Sequence, residues 1–330
     1  MKTYAAYYDH EIREQSSSGG LFSVIASNYE VIYGVAMTAD CHSAEFRRIT
    51  EDISPLRGSK YFQANMGDTY RKVKQDLEEG INVLFTGTGC QINGLKLFLQ
   101  KDYENLLTID VICHGVPSPK LWDMYAGYRE NQFEKKLEYV NFRCKDRGRS
   151  DFGMKENNLY ISKNSDPFMQ MFLRNYCLRP ACYQCHAKNM KLADLTIADF
   201  WGIEDVAPEM NDGMGTSLVI TRTEKGQAIF ESIKSKLKWK EVRYEESVRR
   251  NPSEYRTPIR PELRDSFYKD LSNISFRKME KKYAPKRRIP ITNRLKRIVK
   301  GIVKRIARGG TIDNLVKSNY DYGLLFTFTE

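Results

Sequence analysis

The chain has 330 residues, of which 41% are hydrophobic and 12% aromatic, so it can bury a substantial core and is not expected to be disordered. No apolar run approaches the roughly 18 residues of a membrane-spanning helix. The net charge of +11 is concentrated in residues 276–309, which carry fourteen Lys and Arg and one acidic residue. The body is therefore close to neutral and is not expected to bind nucleic acid.

The N-terminal residues lack a basic stretch followed by an apolar one, which argues against a secretory signal. We therefore expect a cytoplasmic protein. In that reducing compartment, the seven cysteines are expected to act as ligands or redox groups rather than as disulfides.

In chain order, a polar turn over residues 16–20 precedes a helix-like apolar pattern, and two strands are predicted near Val31–Met37 and Ala44–Ile49. Gly19 and Gly20 at the start of the helix can offer backbone N–H groups to an anion, or simply cap the helix. A solvated helix is predicted over residues 68–80.

Two successive strand–turn–helix units follow. Val83–Thr86 is a predicted buried strand, followed by a turn over residues 87–89 and a helix that begins near Cys90. The second unit has a strand at Leu106–Ile112, with Cys113 at its carboxyl end and a helix from about Lys120. Parallel strands end at the same edge of a sheet, so Cys90 and Cys113 are candidates for a shared site; alternatively, each is a small buried hydrophobe.

Residues 135–165 predict a β-meander in which Cys144 is structural, and residues 167–176 a short amphipathic helix. A cysteine-rich loop comes next, then the strand in "ADLTIADFWG". A glycine-rich turn, the strand Ser217–Thr221 and a helix complete the pattern. The expected fold class is α/β, with a mixed sheet, flanking helices, an iron–sulfur cluster loop and a basic amphipathic helix at the C-terminus.

The loop contains Cys177, Cys182 and Cys185 in a Cys-x4-Cys-x2-Cys pattern. Plant-type ferredoxins use this spacing, with a distant fourth cysteine, to hold an iron–sulfur cluster. Structural zinc is the alternative, but zinc sites usually have two closely spaced ligand pairs and this loop has one. The adjacent His186 is poorly placed to bind the same ion as Cys185.

Five motifs in order resemble the beta-subunit family of coenzyme F420-dependent hydrogenase/dehydrogenase, over roughly residues 10–240. They are "SSSGGLFS", "LRGSKYFQ", "VLFTGTGCQINGLKLFL", "TIDVICHGVPSP" and "CLRPACYQCHAKNMKLADLTIADFWG…GTSLV". The resemblance implies an oxidoreductase with FAD and at least one 4Fe-4S cluster, which passes electrons between the cluster and a hydride donor or acceptor. Many bacterial relatives of this shorter form are encoded in polysaccharide-synthesis loci.

The same resemblance implies that Cys90, Cys113, Cys182 and Cys185 are the cluster ligands. Cys177 is then an alternative ligand or serves a second cluster. The family usually has proline where this chain has Gly89, and proline would fix the backbone ahead of Cys90. Glycine is expected to leave that loop freer without removing a ligand.

Four groups of residues are predicted to bind FAD. They are Ser18, Gly19 and Gly20; Ser59, Lys60 and Tyr61; Gly87 and Thr88; and Gly215, Thr216 and Ser217. Lys60 is predicted to stabilise the anionic reduced ring, unless it is an ordinary surface lysine. His114 is predicted to donate a hydrogen bond towards the cluster or to carry a proton, unless it caps a turn.

Residues 293–308 carry apolar side chains along one face of a helix and seven Lys or Arg elsewhere. A cationic amphipathic helix is typical of a membrane-surface anchor, which would place the protein peripherally at the inner face of the membrane. Packing on the protein body and binding to an acidic groove of a partner are the alternatives.

The sequence thus predicts an N-terminal flavin and cluster domain (1–130), a C-terminal domain with the cysteine loop (131–270) and a basic tail (271–330). The predicted function is that of an iron–sulfur flavoprotein oxidoreductase in polysaccharide biosynthesis. Its redox partner would be an electron-donor protein, a deazaflavin or another small molecule. A zinc-stabilised scaffold without redox chemistry, within a polysaccharide-synthesis complex, is the alternative.

Overall fold

The structure is a computed structural model that describes residues 1–146 and 152–285. Met1–Pro285 forms one compact unit. The predicted amphipathic helix at 293–308 lies outside the described residues. Within the described part of the chain, no helix is both long enough and apolar enough to cross a membrane.

Eleven strands occur in the described residues: β1 (Lys2–Tyr7), β2 (Val31–Met37), β3 (Ala44–Ile49), β4 (Val83–Thr88), β5 (Leu106–Val111), β6 (Val140–Cys144), β7 (Gly153–Glu156), β8 (Leu159–Ser162), β9 (Leu195–Asp199), β10 (Ser217–Thr221) and β11 (Lys238–Glu241). Eight of them form one mixed sheet in the order β11-β1-β10-β9-β5-β4-β2-β3, and β6, β7 and β8 form a small antiparallel sheet.

The helices of the same residues are α1 (His10–Glu14), α2 (Leu21–Ala26), α3 (Thr69–Glu78), α4 (Gly89–Leu99), α5 (Pro119–Phe133), α6 (Pro167–Leu173), α7 (Ile203–Val206), α8 (Glu224–Ile233), α9 (Tyr244–Ser247), α10 (Arg264–Leu271) and α11 (Phe276–Tyr283). Short 3₁₀ turns lie between several of them, two of which are in the cysteine loop at Pro180–Gln184 and His186–Lys188.

The central strands are apolar because both faces of the large sheet are covered. Leu84 and Leu107 point into a core with α2 and α8, whereas Phe85 and Leu106 point into a second core with α3 and α4. Each of these side chains is at most 1% exposed. Neighbouring residues of a strand face opposite sides, so continuous apolar runs are expected for strands buried on both sides.

A further core lies around α5, α6, α10 and α11, where Trp122 is fully buried and its ring stacks on Phe62 with the centroids 5.0 Å apart. The strands of the large sheet come from both sides of residue 130. The division of the chain into domains at that residue stays a prediction.

The predicted turn over residues 87–89 is a correction. β4 continues to Thr88 and α4 begins at Gly89, so strand and helix meet directly. The Thr88 and Gln91 side chains form a capping box, which satisfies the first N–H groups of the helix without a separate turn.

Candidate functional site at the carboxyl edge of the sheet

Five strands of the large sheet run in the same direction. β2, β4, β5 and β9 pair in parallel, and β10 is antiparallel to both β9 and β1, so β1 points the same way as the other four. The carboxyl ends of these five strands, and the start of β10, therefore share one edge. Ligands of α/β sheets commonly bind at this edge.

The serine-glycine loop, defined here as residues 16–20, is held against the start of β10. The Ser18 hydroxyl donates to the Thr216 carbonyl (2.9 Å), and the Gly19 N–H donates to Ser217 Oγ (2.9 Å). A β-carbon on Gly19 would lie 2.5 Å from the Ala6 carbonyl oxygen, so only glycine fits this approach.

The loop also contacts the segment that contains Lys60. The Ser59 N–H donates to Ser17 Oγ, and the two hydroxyl oxygens are 3.1 Å apart. Three of the four groups predicted to bind FAD thus meet at one place. The fourth, Gly87 and Thr88, lies at the end of β4, separated from β10 by β9 and β5. With neighbouring strands roughly 5 Å apart, this separation is about 15 Å.

Lys60 has an unusual environment for a lysine. Its amino group donates to the carbonyls of Pro55 (2.9 Å) and Arg57 (2.7 Å), and it has no carboxylate partner within residues 1–146 and 152–285. Burial lowers the pKa of Lys60 to about 7. A partly buried cation with neutral partners is suited to receive an anion, and the alternative of an ordinary surface lysine does not fit this burial.

A buried ion pair that the sequence does not reveal lies next to this loop. Arg143 Nη2 lies 2.7 Å from Asp199 Oδ2, at the carboxyl end of β9, and its guanidinium stacks on Phe152. Burial raises the pKa of the neighbouring Tyr61. Among the described residues, Arg143 Nε and Asp199 Oδ1 are buried without a hydrogen-bond partner. Asp199 lies within "ADLTIADFWG", but nothing in the sequence distinguishes it from other strand-end carboxylates.

These two atoms provide a test of fit for a flavin. A buried donor or acceptor without a partner is costly, and it usually marks a missing ligand or water. The isoalloxazine ring of FAD carries both N–H and C=O groups at its pyrimidine end. The pyrophosphate of FAD is anionic. An unpaired N–H donor, an unpaired carboxylate oxygen and the nearby Lys60 therefore suit the group.

Cys90 and Cys113 follow β4 and β5 at the same edge. Cys90 lies in the first turn of α4 and is exposed, with its sulfur 3.2 Å from Thr88 Oγ1. Lys188 donates to the Cys113 carbonyl, which ties the end of β5 to the cysteine loop. Cys182 Sγ accepts a hydrogen bond from the Val116 N–H (3.4 Å), which makes a second tie.

The thiols of Cys90, Cys113, Cys182 and Cys185 are close enough to interact electrostatically. Burial is the main cause that raises the pKa of Cys113 to about 12; the charge of Lys188 opposes it, and the charges of Cys182 and Cys90 add to it. The pKa of Cys182 is raised mainly by burial, and also by the charges of Cys90 and Cys185. Soft thiolates from separate loops are the donor set of an iron–sulfur cluster.

Within the described residues, no three Cys, His, Asp or Glu side chains converge to hold a single metal ion. One zinc ion requires sulfurs roughly 4 Å apart, because each Zn–S bond is about 2.3 Å. A four-iron cluster separates its cysteine sulfurs by the width of the cluster. Four cysteine thiols are the donor set that a four-iron cluster takes, and the assignment of these four as its ligands stays a prediction.

Cys177 differs from the other four candidates because it is fully buried. It lies in the core with Leu178 and Phe267, and burial strongly raises its pKa. Its carbonyl accepts hydrogen bonds from the Ser118 N–H and the Tyr268 hydroxyl. A role for Cys177 as a ligand stays a prediction.

His114, next to Cys113, is fixed by Asn175 and packs edge-on against Phe172. Its Nε2 lies 2.7 Å from Asn175 Oδ1, and its Nδ1 lies 3.5 Å from Ser253 Oγ. Burial lowers the pKa of His114, which favours the neutral ring. Its predicted roles towards the cluster stay predictions.

The departure from the family pattern at Gly89 is accommodated in the fold. A β-carbon here would lie 3.0 Å from Asp110 Oδ2 and 3.4 Å from the Ala187 β-carbon, so glycine gives both neighbours room. The capping box of α4 orders the junction through the residues on either side.

A chain of the F420-reducing [NiFe] hydrogenase complex from Methanosarcina barkeri, solved as a xenon derivative, has a similar fold. The TM-score is 0.52 at 16% identity, and the match covers 73% of this chain and 81% of that one. No curated protein sequence matches the chain. The family model for the C terminus of the coenzyme F420 hydrogenase/dehydrogenase beta subunit matches residues 81–246. That segment is half of the chain and contains β4, β5 and the cysteine loop, and the chain therefore belongs to the coenzyme F420 hydrogenase/dehydrogenase beta-subunit family.

Proposed function

We propose that this protein is an iron–sulfur flavoprotein oxidoreductase. The observation that supports it is the shared edge of the sheet, which carries the four thiols that follow β4 and β5 or lie in the cysteine loop. The same edge carries the serine-glycine loop and an ion pair with two buried atoms that lack hydrogen-bond partners among the described residues. When bound, FAD would exchange electron pairs and a 4Fe-4S cluster single electrons, which links hydride chemistry to one-electron transfer.

Different residues of the chain would bind the cluster and the flavin. Cys90, Cys113, Cys182 and Cys185 would hold the cluster, with Cys177 as the alternative ligand. The serine-glycine loop would bind the flavin through N–H groups other than that of Gly19, which donates to Ser217 Oγ. The groups at Ser59–Tyr61, Gly87–Thr88 and Gly215–Ser217 would complete the flavin site. Lys60 would hold a positive charge where negative charge develops on reduction.

The two cofactors would have to lie close together for electrons to pass between them. The junction of β4 and α4 supports this arrangement, because Gly87 and Thr88 at the end of the strand are followed within two residues by Cys90 in the first turn of the helix. The resemblance to bacterial relatives in polysaccharide-synthesis loci favours a sugar intermediate as the substrate, with a protein or deazaflavin partner as the other redox reagent.

The test is cofactor content after anaerobic purification. The wild-type protein is expected to contain about four iron atoms and a flavin per chain, with absorbance from both groups. Cys185→Ser is expected to lose most of the iron, because each cysteine ligand binds one of the four iron atoms of the cluster. Cys144→Ser is the matched control, since this buried thiol lies in β6 beside Asp146 and outside the proposed set. A colourless protein with one zinc ion per chain would contradict the proposal.

A further inference from the structure

A surface formed by two segments borders the cysteine loop. Residues 255–263 lie alongside residues 179–190, since one depression is lined by both stretches, and hydrogen bonds join residues at or next to their ends. Arg264 donates to the Leu178 carbonyl (2.9 Å), Lys191 donates to the Glu254 carbonyl (2.9 Å), and Lys188 donates to the Ser253 carbonyl. The segments therefore form one continuous surface, and we name it the loop face. Its exposed members include Arg179, His186, Met190, Tyr255, Arg256, Ile259, Glu262 and Leu263.

The loop face carries a net positive charge. Residues 179–190 and 255–263 contain four Lys or Arg and one carboxylate, Glu262. Lys188 and Lys191 point inwards to backbone carbonyls and Glu254, and Arg260 pairs with Asp265. Arg179 and Arg256 are exposed, and neither forms an ion pair with a described residue.

The same face exposes large apolar side chains. Ile259 is 84% exposed and Leu263 50%, while Tyr255 and Met190 are each more than 40% exposed. A depression of about 530 Å³ lies beside Tyr255, and its lining also includes Cys185, His186 and Arg256. Exposed apolar side chains surrounded by arginine and tyrosine are the composition of a protein-binding surface rather than of a merely solvated one.

The position of the face indicates the kind of partner. Cys185 and Cys182 are partly exposed here, and Cys185 lines the depression. A thiol of the proposed cluster therefore lies on the surface that a visiting protein would contact. The partner should therefore be acidic, to complement the arginines, and should carry its own redox centre.

We propose that the loop face is the docking site of a small acidic protein that carries a one-electron centre. The proposal rests on the proposed function, because an electron carrier is only useful beside a redox group. It adds the surface, the charge of the partner and the residues that recognise it: Arg179 and Arg256 steer and orient the partner, and Ile259 and Tyr255 supply the apolar contact.

The experiment measures binding of the full-length protein to a purified acidic ferredoxin by calorimetry, at about 50 and 500 mM NaCl. Wild-type protein is expected to bind, and its dissociation constant should rise at least about tenfold at the higher salt. Arg179→Glu with Arg256→Glu should weaken binding about tenfold or more at low salt. Ile259→Ser should weaken it at both salt concentrations, because its contribution is apolar.

The matched control is Lys2→Glu with Lys101→Glu, which changes the net charge by the same amount at the opposite edge of the sheet. This pair should bind as tightly as the wild type. The docking site is refuted if the wild type does not bind, or if the control pair loses as much affinity as the arginine pair. Assays of iron and flavin in the same samples distinguish the two proposals. Absence of both cofactors contradicts the proposed function. A protein that contains both cofactors but does not bind ferredoxin contradicts the docking site alone.

Discussion

Lys60 lowers the stability of the fold because its charge is buried, and the same residue is proposed to bind an anion in the site. Its amino group is buried next to carbonyls, and burial lowers its pKa to about 7, far below the usual 10.5. Below pH 7 both the folded and the unfolded chain carry the proton, so the cost of burying the charge is fully present. Between about pH 7 and 10.5 the unfolded chain binds more protons, and stability therefore rises with pH.

We therefore expect Lys60→Met to stabilise the flavin-free protein, and to do so more at pH 6 than at pH 9, as measured by the shift in Tm. The same change should weaken flavin binding, because it removes the proposed partner of an anion. Lys101→Met, at an exposed lysine, is the control and should alter neither quantity. A Tm gain that does not depend on pH would show that Lys60 is not buried as a cation.

Individual site residues were predictable to different degrees. The resemblance to the family motifs predicts that Ser18, Gly19 and Ser217 share a site, and the structure brings them within hydrogen-bond distance of residues in the same group. Arg143 and Asp199 were missed, because each is an ordinary charged residue at a strand end. The two residues come into contact only in the folded protein, and neither their residue types nor their spacing in the sequence predicts the ion pair.

At the level of secondary structure, the serine-glycine loop depends on a glycine that no other residue can replace. Gly19→Ala would place a methyl group 2.5 Å from the Ala6 carbonyl and 2.8 Å from the Ser217 nitrogen. Both are backbone atoms, so β1 or β10 must move. We expect a loss of about 2 kcal/mol or more in unfolding free energy, measured by urea denaturation.

Gly127 is the matched control for this substitution. It lies within α5, and a β-carbon there would meet no atom within 4 Å. Gly127→Ala should stabilise the protein by about 0.5–1 kcal/mol, because alanine loses less backbone entropy in a helix. Equal effects of the two changes, in either direction, would contradict the close approach at Gly19.

Strands with apolar runs were predicted well, and edge elements were not. Val31–Met37 and Ser217–Thr221 match the predicted bounds, since their side chains are buried on both faces. β11 has four exposed residues, two of them lysines, so no hydrophobic pattern identifies it. β1 was missed because its short run, next to the start of the chain, lacks a turn signal before it.

At the scale of the whole molecule, the fold class was confirmed, because alternating apolar strands and helices determine an α/β architecture. The order of the strands was not predictable. It depends on the pairing of β1 with β10, between residues 219 positions apart, and no local pattern specifies a contact of that range.

The basic segment at 293–308 gives a prediction for the full chain. Its seven cations and apolar stripe should bring the protein to anionic vesicles, at roughly 1 kcal/mol for each basic residue near the surface. Deleting residues 290–310 should abolish sedimentation with phosphatidylserine vesicles and leave the behaviour with neutral vesicles unchanged. Equal sedimentation of both proteins would refute membrane binding by this segment.

The place of β1 in the sheet, between β10 and β11, has a consequence for biosynthesis. β1 has no neighbouring strand in the sheet until residues 217–241 have been synthesised. At 5 to 20 residues per second, this wait is on the order of 10 to 50 s. Until then, Ser18 and Gly19 have no Thr216 or Ser217 to hold them. A prosthetic group that contacts both the serine-glycine loop and the start of β10 is therefore acquired late. A nascent chain that stalls before residue 217 cannot retain such a group.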